Sequence, residues 1–140
     1  MEKFEFFIGD WNLEYNIPKS SFSEPKTGSG KGTFTRALDD KCVFFDYESQ
    51  IEDKTGSAHG IFVRDEKIKI YRYWWFESSG NFSQATCNFL DDEALFMNWH
   101  DSLFVQTFTR ESPDRIKLSM SHPDDKGDYE AVLKVIFTRP

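Results

Sequence analysis

Apolar and polar residues alternate along most of the chain. In WNLEYNI, residues 11–17, Trp11, Leu13, Tyr15 and Ile17 share one side, and Asn12, Glu14 and Asn16 share the other. Side chains in a strand point to opposite faces in turn, so this period of two predicts a half-buried β-strand. CVFFDYESQI, residues 42–51, repeats the pattern, with Val43, Phe45, Tyr47 and Ile51 set against Phe44, Asp46, Glu48 and Gln50. Further candidate strands are GTFTRAL, SAHGIFV, KIKIYRYWWF, NFSQATCNFL, ALFMNWH, LFVQTFTR, RIKLSMSH and YEAVLKVIFTR. Short turns rich in Asp, Lys, Gly and Ser separate them. Residues 18–30, PKSSFSEPKTGSG, read instead as one long connection, because Pro, Gly and Ser crowd them. Helical spacing occurs only near the start, where Phe4, Phe7 and Ile8 keep an i, i+3, i+4 rhythm.

Ten strands with hairpin-length links leave no room for the crossovers that parallel pairing needs. The expected fold is all-β: an antiparallel up-and-down meander of about ten strands preceded by a short N-terminal helical turn. Closure into a barrel removes the exposed edges that an open sheet of this size would carry. A two-sheet sandwich is the alternative. The 140 residues are expected to make a single domain, 1–140.

Composition narrows the function. Aromatics make up 17% of the residues, fifteen of them Phe, which predicts a dense aromatic interior. The net charge is −7 and no basic run occurs, so nucleic acid is not an expected partner. No apolar run approaches the ~18 residues of a membrane span, and the start lacks a secretory pattern, so a cytoplasmic location is expected. Cys42 and Cys87 are expected to be free thiols.

The interior can be sought by face. Lys67 and Lys69 put the odd face of KIKIYRYWWF in water, which turns Ile68, Ile70, Arg72, Trp74 and Phe76 inward. The competing choice buries Tyr71, Tyr73 and Trp75 and leaves Arg72 in water. The same test places Tyr47, His59 and His122 inside. NFSQATCNFL stays open, with either Gln84, Thr86 and Asn88 or Cys87 and Phe89 facing in. An apolar barrel with a few converging polar groups suits a small-molecule ligand.

On this reading Arg72, helped by Tyr47 and Arg36, binds the anionic head of an amphipathic ligand, with Trp74, Phe45 and Trp99 against its body and His59 nearby. Alternatively, Arg72 meets a carboxylate of the protein itself or snorkels to the barrel mouth. No catalytic residue and no metal site is expected. The histidines lack metal-ligand spacing, GSGKG lacks the residues of a phosphate loop, and the acidic pairs fall in turns. Two further readings stay open. One is an isomerase or lyase using His59 or Tyr47 beside Arg72. The other is a filled barrel that pairs with a second copy, as a homodimer, or with another protein through Tyr71, Tyr73 and Trp75.

Gly9-Asp10-Trp11 opening the first strand, after a helical turn and ahead of a meander, resembles the calycin superfamily of lipocalins, fatty-acid-binding proteins and nitrobindin-like barrels. The resemblance implies a barrel whose Trp11 plugs the closed end under a basic side chain, here Arg139. Without a lid helix pair, a C-terminal helix or a lipocalin-type disulfide, the chain looks most like the small bacterial lipocalin-like domains. Nitrobindin-like members hold heme through a histidine on a late strand. His122 is the matching position, with HPDD suggesting that the strand has already ended there.

Overall fold

The computed structural model describes residues 1–140. A short 3-10 helix, Glu2–Phe7, leads into ten strands. These are β1 (Gly9–Ile17), β2 (Lys26–Ala37), β3 (Cys42–Ile51), β4 (Lys54–Asp65), β5 (Ile70–Glu77), β6 (Phe82–Asp91), β7 (Ala94–Trp99), β8 (Val105–Ser112), β9 (Arg115–Pro123) and β10 (Tyr129–Thr138). Each strand pairs antiparallel with the next, and β10 returns to pair with β1, as in Leu13 opposite Phe137 and Tyr15 opposite Val135. The sheet is therefore a closed barrel with no free edge, the all-β meander that the alternation and short turns predict.

Closure places one face of every strand indoors. Trp11, Leu13, Phe34, Phe45, Phe62, Leu95, Met97, Phe108, Val135 and Phe137 are all buried in one continuous cluster. The 3-10 helix stoppers one end. Its Phe4 sits 4.9 Å from Phe62 and 5.0 Å from Tyr71, and Phe7 sits 4.9 Å from Phe34. Trp11 Nε1 donates to the Phe7 carbonyl at 2.7 Å and so ties the stopper to β1. Above Trp11 lies the Arg139 guanidinium, 3.7 Å from the ring centroid, donating to the carbonyls of Ile8 (2.9 Å) and Phe6 (3.1 Å). Gly9 makes this seat possible: its φ is +116°, and a β-carbon there would come 2.7 Å from Arg139 Nη1.

The connection predicted for residues 18–30 ends at residue 25, because Lys26–Ala37 is strand. Gly28, Gly30 and Gly32 stand opposite Tyr15, Leu13 and Trp11 on the inner face of β2. A β-carbon on Gly30 would stand 2.0 Å from the Glu48 carbonyl oxygen. The glycines therefore mark a strand that coils too tightly for side chains, and not a loop.

The faces of β5 are the reverse of those expected. Tyr71 and Tyr73 are buried and Arg72 is on the outer face. The physical reason lies before the strand, which begins only at Ile70. Lys67 and Lys69 belong to the β4–β5 turn, where Lys69 N–H donates to the Asp65 carbonyl and Lys69 takes φ +61°. A left-handed residue breaks the alternation, so the two lysines carry no information about the strand. On β6, Ala85 and Cys87 are the buried residues and the open choice falls to the odd face. Both cysteines are buried free thiols. No helix is long and apolar enough to cross a membrane.

Candidate functional site

At the end away from the stopper the barrel interior is not filled. A cavity of about 490 Å³ is lined by 22 residues, 16 of them hydrophobic. Phe45, Phe108 and Phe137 form its floor, with Phe34 stacked beneath Phe45 at 4.0 Å. Leu13, Tyr15, Leu118, Met120, Leu133 and Val135 make one wall. Tyr47, Tyr73, Trp75 and Trp99 make the other, with the Trp99 ring edge-on to both Tyr73 (5.8 Å) and Trp75 (6.1 Å). Ile17, Ile51, Glu77, Asp101, Ser102 and Phe104 lie where β1, β3, β5 and β7 end, and frame the mouth.

Two indole N–H groups organise the polar side chains of the walls. Trp75 Nε1 donates to Tyr47 Oη at 2.8 Å, and Trp99 Nε1 donates to Gln106 Oε1 at 3.2 Å. An indole nitrogen only donates, which fixes the Gln106 amide with its oxygen toward Trp99. Burial disfavours phenolate, so the Tyr15 and Tyr73 hydroxyls are held well above their usual range and Tyr47 is pushed up to about 12. The cavity tyrosines are thus neutral hydroxyls at any physiological pH.

A strap crosses the rim. In the β1–β2 connection Ser21 donates to the Glu130 carboxylate from both N–H (2.9 Å) and hydroxyl, and Phe22 packs on Phe104 (5.5 Å) and His122 (4.7 Å).

Of the site residues expected from sequence, Phe45, Tyr47 and Trp99 line the cavity together. The others do not join them. Arg72 is outside, with Nε donating to Asp65 Oδ2 at 2.8 Å. Trp74 lies beside it on the outer face of β5. His59 is also outside, with Nδ1 2.5 Å from Asp46 Oδ1, because the inward residues of β4 are Gly60 and Phe62. Arg36 lies at the stoppered end of β2 and forms an ion pair with Glu5. The anion clamp therefore does not assemble, and neither does an acid/base pair with Arg72: the sheet separates it from Tyr47, and His59, on the same outer face, stands opposite Phe76 and bonds to Asp46 instead. Tyr71, Tyr73 and Trp75 face inward, so they form no exposed docking face. His122 is packed at the rim against Phe22 and Phe104, with Nδ1 2.7 Å from its neighbour's carbonyl oxygen. No histidine lines the cavity.

Tyr73 and Trp75 belong to the competing choice of face for β5, and Gln106 was missed. Parity could have found Gln106, which shares its face with Phe104 and Phe108, both cavity residues.

No family model matches the chain, and no curated protein matches it. Solved structures do. The M. tuberculosis protein Rv2717c is similar over 100% of this chain and 98% of its own, with a TM-score of 0.72 at 8% identity. A de novo designed fluorescence-activating β-barrel covers 100% and 99%, with a TM-score of 0.56 at 15% identity. The S-type phycobiliprotein lyase CPES from Guillardia theta covers 99% and 91%, with a TM-score of 0.56 at 14% identity. At such identities the likeness is one of fold. It sets this protein among closed antiparallel barrels.

Proposed function

We propose that this protein is a calycin-like barrel that binds a small, flat, largely apolar molecule in its cavity without transforming it. The observation that carries the reading is the one-ended aromatic cavity. Its volume of about 490 Å³ falls within the range of ligand pockets, ~300–1,000 Å³, and its rings offer flat faces to a flat guest. Two fold neighbours carry names that fit, a fluorescence-activating barrel and a phycobiliprotein lyase. Two buried free thiols support a reducing, cytoplasmic setting.

The test is native mass spectrometry on protein purified without added ligand, followed by titration with a neutral aromatic probe monitored through tryptophan emission. Trp75 and Trp99 line the cavity, so an occupant changes their emission. A bound mass that leaves on denaturation, or saturable one-to-one binding, is the expected result. A bare chain that no aromatic probe perturbs overturns the reading.

A further inference from the structure

Gln106 Oε1 already accepts from Trp99, and Tyr47 Oη already accepts from Trp75. The groups that these pairs leave without a protein partner are both donors, the Gln106 amide N–H₂ and the Tyr47 O–H. Gln106 is only 6% exposed, and its Nε2 donates to no protein group, yet it is not sealed in, and the residue lines the cavity. A buried amide N–H₂ needs an acceptor, and the protein supplies none here. The Tyr47 hydroxyl accepts from Trp75 and donates its proton to no protein group.

Charge points the same way. No Lys, Arg or His lines the cavity, and its only ionisable acids are Glu77 and Asp101 at the mouth. Lys26 and Lys54 start strands at that rim but stand outside the lining. An anionic group drawn inside would lose water, find no counter-ion and pass two carboxylates.

We propose that the ligand is an uncharged aromatic molecule carrying a carbonyl-type acceptor, seated with that acceptor against the Gln106 amide. The inference rests on the binding reading above and specifies its chemistry. It reverses the preference that a buried Arg72 would have imposed.

Three matched probes test it by fluorescence titration: a neutral dimethylaminonaphthalene ketone, the corresponding naphthoate, and the parent dimethylaminonaphthalene without a carbonyl. The ketone binds wild-type protein at least about tenfold tighter than the naphthoate. It binds about three- to tenfold tighter than the parent, the worth of one hydrogen bond. Gln106→Met removes the second advantage, so the variant binds ketone and parent alike. A naphthoate that binds as well as the ketone overturns the charge preference. A ketone no better than the parent overturns the Gln106 seat. In either case the binding reading survives, whereas failure of all three probes removes both. Should Gln106→Met not fold, the infrared carbonyl stretch of the ketone bound to wild-type protein decides. A shift to lower frequency than in alkane supports the seat, and an alkane-like frequency overturns it.

Discussion

The phenol of Tyr73 lies across Gly60, so close that a β-carbon on residue 60 would stand 2.0 Å from the Tyr73 oxygen and 2.4 Å from its ring. The missing side chain is the slot into which a cavity-wall tyrosine fits, with Phe62 packed beside it at 4.3 Å. Gly60→Val therefore overfills the wall and is expected to cost about 2–3 kcal/mol in urea denaturation. Gly56→Val is the control, because a β-carbon there meets nothing nearer than 3.8 Å. Equal costs at the two positions would contradict the slot.

Arg139 closes the opposite end through two carbonyls and the Trp11 face. Arg139→Ala is expected to lose about 2–4 kcal/mol and to shift Trp11 emission to the red. Arg139→Lys recovers little, because an ammonium cannot span both carbonyls and stack on the ring. Probe affinity should stay within about twofold of wild type, since the cavity floor of Phe45, Phe108 and Phe137 lies between. A large affinity loss in a folded Arg139→Ala protein would place this residue in the site after all.

Arg72 acts on the outer surface through Asp65. Its hydrogen bond, with help from the Lys67 and Ile68 amides, holds the Asp65 carboxyl below its ordinary value of 3.8. A lowered carboxyl contributes stability that is present above the unfolded value and fades as pH falls through the folded one. Arg72→Met should thus be less stable than wild type at pH 7, and the gap should narrow below about pH 4. Ligand affinity should not change. Thermal melts across pH 2–7 with a probe titration at pH 7 read both, and an affinity loss would return Arg72 to the cavity.

At alkaline pH the sign reverses. Tyr15, Tyr47 and Tyr73 keep their protons in the fold past the ordinary value of 10. Their contribution is complete below pH 10 and is lost as pH rises toward the raised folded values, because only the unfolded chain releases the protons there. Ultraviolet titration should show Tyr15, Tyr47 and Tyr73 ionising late, together with the loss of folded structure. Ionisation of these three near pH 10 in folded protein would show an open, wet interior.

The architecture was legible because it follows from a period of two and from turn chemistry, both local properties. Phe45, Tyr47 and Trp99 were legible for the same reason. What escaped depends on where a strand starts. Lys69 alone, in a left-handed turn conformation, reverses the inference for Arg72, Trp74, Tyr73 and Trp75 at once, and no periodicity reports a backbone angle. The glycines of β2 failed in the other direction. Loop-like composition there marks a strand bent across its neighbour, a tertiary fact. Arg36 has inward parity on β2 and still misses the cavity, because it lies beyond the stopper, at a height that the alternation does not encode.

The barrel is sealed by residues 12–16 pairing with residues 134–138, and Arg139 then locks over Trp11. A chain made from its N-terminus holds β1 unpaired on that side until nearly the last of these residues exists. Until then the cavity has no wall between β1 and β9, and an apolar inner face remains open to water and to other unfinished chains. On the proposed reading, a ligand therefore has no closed cavity to enter until synthesis of this segment ends. The final strand is both the last part of the container to be made and the one that makes it a container.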